Sequence, residues 1–384
     1  MVPLGGNRIT LLKSGGAFFP ALEEAIDGAL EEVRLETYIF ADDTAGRRIA
    51  RALMRAAERG VRVRVMLDAF GSRMLSSAFL AELREAGVMV QIFRPARVWL
   101  PLTRSRWRRM HRKIALVDGR VGFVGGINIV DDATDNPTAG PRLDYAVRVE
   151  GPVLARIYPV VHHLWWLVAT IASRRRQPLF RAREVRPARA GESVAAFVHR
   201  DNLRHRHDIE AMYLRGIRGA RREIIIACAY FMPGWRVRRS LMGAADRGVR
   251  VVLLLQGWTD HSIFHNASRV LYEALLERGI EIFEYLGGEL HAKVGVVDGR
   301  WATIGSSNLD PFSLVLAREA NVVVFDEAVA RALRESLEEE IRNCSTAVRR
   351  MLWRRRPWLS RVVGWLAYAY ARVVMALAGI TGRW

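Results

Sequence analysis

Cysteine is scarce in this 384-residue chain, which has two, Cys228 and Cys344. That number excludes a disulfide framework and a CxxC metal site. Cys228 lies in the apolar run IIIACA (residues 224–229) and is expected to be a buried strand residue. Two lone cysteines suit a reducing cytoplasm. Long hydrophobic runs are missing too. No stretch gives eighteen uncharged apolar residues in a row. The nearest, residues 152–173 and 358–384, are broken by Arg156, His162 and His163 and by Arg361, Arg372 and Arg383. The N-terminal MVPLGGNRITLLKSGG lacks the basic-then-apolar order of a signal peptide. Acidic residues are the third shortage: 40 Asp and Glu stand against 59 Lys and Arg, a net charge of +19. Such an excess suits an anionic partner, whether nucleic acid, anionic lipid or a phosphorylated substrate; a generally basic, solvated surface is the plainer account. What the chain does have is apolar residues, 51% of the total, which excludes global disorder.

Periodicity predicts alternating strands and helices. Strands are expected at residues 6–13, 33–40, 61–68, 88–93, 113–117, 121–124 and 144–150, and helices at 17–32, 43–59, 76–86 and 152–172. Thr44 is the expected N-cap of the second helix and Gly60 its C-terminal stop. Pro159 is expected to kink or restart the last. Residues 173–189 carry seven arginines and two prolines and read as a basic linker. After it the order recurs, with a helix at 209–220, a strand at 223–231 and a helix at 236–247. The octamer AAERGVRV at residues 56–63 returns as AADRGVRV at 244–251, 188 positions later. This is a duplicated α/β unit of about 180 residues.

One stretch appears in both copies. The first is HRKIALVDGRVGFVGGIN, from His111 to Asn128; the second is HAKVGVVDGRWATIGSSN, from His291 to Asn308. Each has Lys two residues after the His (Lys113, Lys293), Asp seven after it (Asp118, Asp298), a Gly/Ser-rich turn, and Asn seventeen after it. On a strand, residues two apart share a face, so each His and Lys project together. An ammonium repels a metal ion but neutralises phosphoryl oxygens, and an imidazole beside it can attack phosphorus or move a proton. Asn128 and Asn308 can donate to the same oxygens. Phosphodiester exchange through a covalent intermediate needs a nucleophile on one side of phosphorus and an acid on the other, so two facing copies would complete one site. A single copy could be a chance strand followed by an Asp-Gly turn; two at matching places in a duplicated unit are not read that way. Asp118 and Asp298 fit two roles equally, member of the site or first residue of the hairpin turn.

The paired motifs resemble those of the phospholipase D superfamily, over residues 6–325. The segments LETYIF (35–40), RDN (200–202), AYFMPG (229–234), LLLQG (253–257), LHAKV (290–294) and GSSNLDP (305–311) are similar to the bacterial cardiolipin synthase branch, in its short form without N-terminal transmembrane helices. The resemblance implies a duplicated phospholipase D-like α/β fold: two mixed, largely parallel sheets flanked by helices, with pseudo-twofold symmetry. It implies metal-free, cofactor-free transfer of a phosphatidyl group from one phosphatidylglycerol to another with release of glycerol. His111 would be the nucleophile that becomes phosphohistidine, and His291 the acid and base. Glu319 and Asp144 match the carboxylates that orient the histidines. Leu143 stands where the family has Trp or a similar residue before the first carboxylate, and Phe312 where it often has Arg. The expected partner is an anionic phospholipid membrane, not nucleic acid, at the cytoplasmic face of a bacterial inner membrane. The same histidines would also serve a phospholipase D or a nucleic-acid phosphodiesterase.

Other residues read more plainly. His162 and His163, beside Trp165 and Trp166, are expected to pack rather than bind metal, and His199, His205 and His207 suggest no metal site. Residues 98–110 (VWLPLTRSRWRRM) fit a lipid-headgroup lip and a solvated loop equally. Residues 349–384 combine arginines with Trp353, Trp358, Trp365 and Trp384 and read as a monotopic interfacial helix, ahead of a tilted span or a packed helix. The expected division is 1–173, a linker at 174–190, 191–345, and the membrane tail at 346–384.

Overall fold

The repeat in the sequence becomes a mirror in the strand order of the computed structural model, which describes residues 1–94, 108–132, 140–173, 185–257, 262–354 and 358–377. The first half runs β1 (Leu4–Lys13), α1 (Ser14–Asp27), β2 (Glu32–Thr37), α2 (Thr44–Glu58), β3 (Arg62–Asp68), α3 (Ser77–Glu85), β4 (Met89–Phe93), β5 (Lys113–Val117), β6 (Val121–Gly125), β7 (Tyr145–Glu150) and α4 (Leu154–Ser173). The second runs β8 (Ser193–Arg200), α5 (Asp208–Gly219), β9 (Glu223–Cys228), α6 (Trp235–Asp246), β10 (Arg250–Gln256), α7 (Ser262–Arg269), α8 (Tyr272–Leu276), β11 (Glu281–Tyr285), β12 (Lys293–Val297), β13 (Trp301–Gly305), β14 (Glu319–Phe325) and α9 (Glu327–Cys344). A short strand β15 (Ser345–Ala347) and helices α10 (Arg350–Arg354) and α11 (Trp358–Leu377) follow.

Hydrogen bonding orders the strands β15-β11-β10-β9-β12-β13-β14-β8-β1-β7-β6-β5-β2-β3-β4. Read outward from the β8–β1 junction, seven strands of one half repeat those of the other. The expected α/β class and duplication are present, with two refinements. The two sheets join edge to edge, because β1 pairs with both β7 and β8. Among the strands named above, parallel pairing is confined to β2-β3-β4 and β9-β10-β11. The remaining strand pairs are antiparallel, and in β5–β6 and β12–β13 each motif strand returns through a tight Asp-Gly-Arg turn, which can join only antiparallel neighbours. The first two residues of each turn have positive φ, 52° and 66° at Asp118-Gly119 and 53° and 65° at Asp298-Gly299, matching the strand twist.

Helix faces follow the apolar spacing. In α2, Ala45, Ile49, Ala52, Leu53 and Ala56 are buried three or four residues apart. Its N-cap is Asp43, whose carboxylate accepts from the Gly46 N–H, so the cap lies one residue before the expected Thr44. α1 ends at Asp27 and leaves Leu30 exposed beyond it. Pro159 sits inside α4 without ending it. One core lies within each half, and a third joins them: Tyr145, Val147 and Tyr158 of the first half pack with Val294, Ile304, Val322, Leu333 and Leu337 of the second. The halves thus share buried apolar surface beside the motif strands.

Candidate active site

Each motif strand begins at its lysine, so each histidine stands just before the sheet. The residues ahead of each His pair in parallel with those ahead of a carboxylate from the other half. His111 N donates to Arg318 O (3.0 Å) and Arg318 N to Arg109 O (2.7 Å). In the mirrored place, His291 N donates to Leu143 O (2.8 Å) and Leu143 N to Glu289 O (2.9 Å). These crossings fix the pairing of side chains. His111 Nδ1 lies 3.0 and 3.2 Å from the Glu319 oxygens, and His291 Nδ1 lies 2.5 Å from Asp144 Oδ2. Each half's carboxylate therefore holds the other half's histidine. An ionised carboxylate only accepts, so Nδ1 carries the hydrogen and Nε2 is left to face a substrate.

Lys113 and Lys293 are buried, and each ammonium donates to the carbonyl of the histidine two residues before it, 2.8 Å for Lys113. Burial, then the Glu319 attraction working against it and the Lys293 charge adding to it, leaves Lys113 at about 7. Burial also lowers Lys293, against the pull of Asp144. Both imidazoles are held below their ordinary value by burial, with both lysines adding to the effect. A phosphodiester between the lysines would supply the missing negative charge and favour the protonated forms. The carboxylates differ. Burial pushes Asp144 up to about 6, against Lys293 and the Tyr145 N–H. Burial also opposes ionisation of Glu319, but His111, Lys113 and the Ser306 hydroxyl outweigh it and lower that group.

Asn128 Oδ1 accepts from the Ile39 N–H (3.1 Å) and Asn308 Oδ1 from the Tyr230 N–H (3.4 Å). Each anchored oxygen turns the amide nitrogen into the end that donates. The structure thus brings His111, His291, Lys113, Lys293, Glu319 and Asp144 into one electrostatic unit, with Asn128 and Asn308 anchored at the ends of β2 and β9.

Asp118 and Asp298 are not brought there, a correction to the reading of either as a catalytic member of the site and in favour of the turn. Each sits past the far end of its five-residue strand, roughly 16 Å along it from the lysine. Asp118 accepts from the N–H groups of Leu30, Glu31 and Glu32 at 2.8–2.9 Å, and Asp298 from those of Arg221, Arg222 and Glu223 at 2.8–3.0 Å. Their work is to brace the start of the neighbouring strand and the hairpin turn.

Three residues escaped the sequence reading. The Tyr38 ring meets the His111 ring edge-on, centroids 4.8 Å apart, and burial raises its phenol to about 12, so it stays a hydrogen-bond donor. The Tyr at both strand ends, Tyr38 and Tyr230, was the available signal. Ser306 donates to Glu319 and accepts from Ala320 N (3.1 Å). Its counterpart is Gly126, where a Cβ would overlap the Asp144 carboxylate.

Elsewhere, His162 stacks on Tyr158 and His163 on Trp166, in keeping with packing roles. Potential ligand atoms of His199, Asp201 and His205 lie within 4.8 Å of one another, although no metal site was expected there. Asp201 Oδ1 already accepts from Leu203 N and His205 N, and Asp208 takes His205 Nδ1. Most of the arginine-rich stretches at 98–110 and 174–190 fall outside the described residues.

Two crossed histidine–carboxylate pairs with two buried lysines, on a duplicated α/β sheet, define a two-histidine phosphoryl-transfer site. Comparison with known proteins narrows the class. The family model described as "Cardiolipin synthase, PLD-like domain" matches residues 22–156 and 213–341. The chain is 41% identical to cardiolipin synthase B of Salmonella typhi over 97% of its length and 90% of the relative's. It is 39% identical to cardiolipin synthase B of Escherichia coli K12 with the same coverage, and 33% identical to cardiolipin synthase A of Pseudomonas entomophila over 88% of this chain and 69% of that one. The fold is similar to that of phosphatidylserine synthase from Haemophilus influenzae (TM-score 0.71, 13% identity, 98% of this chain and 95% of that one). It is also similar to polyphosphate kinase from Porphyromonas gingivalis (TM-score 0.58, 17% identity, 97% and 54%). The chain belongs to the phospholipase D-like cardiolipin synthase family.

Proposed function

We propose that this enzyme moves a phosphatidyl group from one phosphatidylglycerol to a second and releases glycerol. The observation that carries the reading is the crossed pair, His111 on Glu319 and His291 on Asp144, in a chain so similar to cardiolipin synthases. In the first step, Nε2 of one histidine forms a bond to phosphorus while the bond to the glycerol oxygen breaks. The other histidine, as imidazolium, gives its Nε2 proton to the departing alkoxide. In the second step, that neutral imidazole takes the proton of the incoming lipid's hydroxyl, whose oxygen displaces the histidine from phosphorus. Lys113, Lys293, Asn128 and Asn308 neutralise and orient the non-bridging oxygens throughout. The ionised Glu319 behind His111 suits the nucleophile, because a carboxylate at Nδ1 raises the electron density at Nε2.

The C-terminal part supplies the proposed membrane contact. Gly364, Ala367, Ala371 and Met375 of α11 face the protein, the glycine against α7. Trp358, Val362, Val363, Trp365, Leu366, Tyr370 and Val373 are exposed on it. No helix among the described residues is long and apolar enough to cross a membrane. An exposed Trp-rich face on a chain of net charge +19 supports monotopic docking on anionic lipid, and the two unpaired cysteines suit the cytoplasmic face of a bacterial inner membrane. Residues 1–173 and 191–345 are the proposed units of duplication, with 346–384 as the docking tail.

Purified protein incubated with labelled phosphatidylglycerol vesicles tests the activity. Cardiolipin and glycerol should appear in equal amounts, and His111→Ala should abolish both. Full activity in His111→Ala, or nuclease activity without lipid products, would overturn the reading.

A further inference from the structure

The two halves share a frame around the histidines but not its charge. Four pairs of equivalent positions show this. Asp68 Oδ2 accepts from Met110 N (2.9 Å), and Gln256 Oε1 accepts from Leu290 N, so Asp68 and Gln256 correspond. Counting back from each histidine, Arg109 corresponds to Glu289 and Arg108 to Gly288. The paired backbone segments match Arg318 with Leu143. On the His291 side the charges close: Glu289 and Arg142 form a salt bridge at 2.8–3.0 Å, and Leu143 is buried. On the His111 side, arginine accumulates.

Arg109 meets Asp68 at 3.3 Å and shares the Phe70 ring with Arg73, at 5.3 and 4.8 Å from its centroid. Arg94 and Arg318 share the Phe93 ring, at 5.6 and 6.0 Å. Nε of Arg108 and Nε of Arg318 are buried without a hydrogen-bond partner among the described residues. Nearby carboxylates bond to other groups: Asp68 to Arg109 and Met110 N, Glu36 to Arg112, and Oδ1 of Asp201 to two backbone N–H groups; Asp201 and Glu36 attract Arg318 through space without a hydrogen bond to its Nε. Gathering like charges and leaving buried guanidinium donors unmet is costly unless an anion completes the set.

This rim adjoins the catalytic groups by covalent connection, since Arg108 and Arg109 precede His111 and Arg318 precedes Glu319. Tyr38, in edge contact with His111, lies within the field of Arg109 and Arg73. We propose that the Arg108–Arg318 rim binds the phosphodiester of the acceptor phosphatidylglycerol while its terminal hydroxyl enters the histidine site. The inference rests on the proposed transferase reading and adds an acceptor site to it. In phosphatidylglycerol, and in the product, that phosphate lies one three-carbon bridge from the reacting oxygen. Water and uncharged alcohols have no use for such a site, so the rim would select an anionic lipid acceptor over them.

The test is product partition. Full-length protein is given phosphatidylglycerol vesicles with excess ethanol, and cardiolipin and phosphatidylethanol are measured together, with vesicle binding as a third readout. In Arg318→Leu, which installs the residue of the mirrored position, and separately in Arg108→Gln, the ratio of cardiolipin to phosphatidylethanol should fall about tenfold, the effect of losing one charge-assisted contact. Vesicle binding should hold. An unchanged ratio in both variants, or a fall explained by lost vesicle binding, overturns the acceptor site. If the unmodified protein transfers to neither alcohol, the transferase reading itself fails, a distinct result.

Discussion

Asp144 Oδ2 lies 2.5 Å from Nδ1 of His291, a residue 147 positions later and in the other half of the duplicated chain. The reciprocal contact joins His111 to Glu319 across 208 positions. Neither half contains a complete histidine–carboxylate pair, so the site exists only when the halves are packed. The first prediction follows. Asp144→Asn and Glu319→Gln should each lower kcat on phosphatidylglycerol vesicles by about 10- to 100-fold, the usual cost of losing a group that orients an imidazole. KM should change far less. Either variant keeping full kcat would show that the crossed contact does not position the histidine.

The braces of Asp118 and Asp298 lead to the opposite expectation. Asp118→Ala leaves three N–H groups without their acceptor, a loss on the order of 1–3 kcal/mol. Thermal unfolding should shift down by several degrees, while kcat per folded molecule stays within about twofold. A large fall in kcat at unchanged stability would return Asp118 to the chemistry.

Gly126 and Ser306 occupy matching positions with different demands. Gly126→Ala should push the Asp144 carboxylate away from His291 and cut activity sharply, with a stability cost of about 1–3 kcal/mol. Ser306→Ala removes one hydrogen bond to Glu319 and should cost about tenfold or less. Equal, mild effects would mean that the Asp144 side relaxes to accept the added carbon.

Asp144 also fixes a pH dependence. Burial raises it from 3.8 to about 6, so between those values the folded protein keeps a proton that the unfolded chain gives up. Its contribution to stability is fully present below 3.8 and is lost as pH rises through 6. Unfolding midpoints of the unmodified protein and Asp144→Asn, compared from pH 8 down to pH 4, should move in favour of the unmodified protein as pH falls. A constant difference across that range would contradict the raised value.

Much of this site was legible in the sequence because it is local. The His–Lys spacing, the Asp-Gly turn and the duplicated octamer are short-range patterns, and a strand periodicity of two places each His and Lys together. What was not legible depends on long-range pairing. The crossing of Asp144 to His291 follows from the Leu143–Leu290 backbone pairing, which no local pattern encodes. Asp118 and Asp298 misled because they keep a fixed spacing from the histidine, yet five strand residues carry them away from it. Joining the sheets through β1 and β8 likewise depends on an edge strand finding a second partner.

The central claim is that the two histidines act as a pair through a covalent phosphatidyl intermediate. The direct measurement is acid-free quenching of the enzyme on labelled phosphatidylglycerol, followed by peptide mapping of the adduct. The account predicts label on a single imidazole, His111, in the unmodified protein, and none in His111→Ala. Cardiolipin formation with no histidine adduct, or with His111→Ala still turning over, would contradict it.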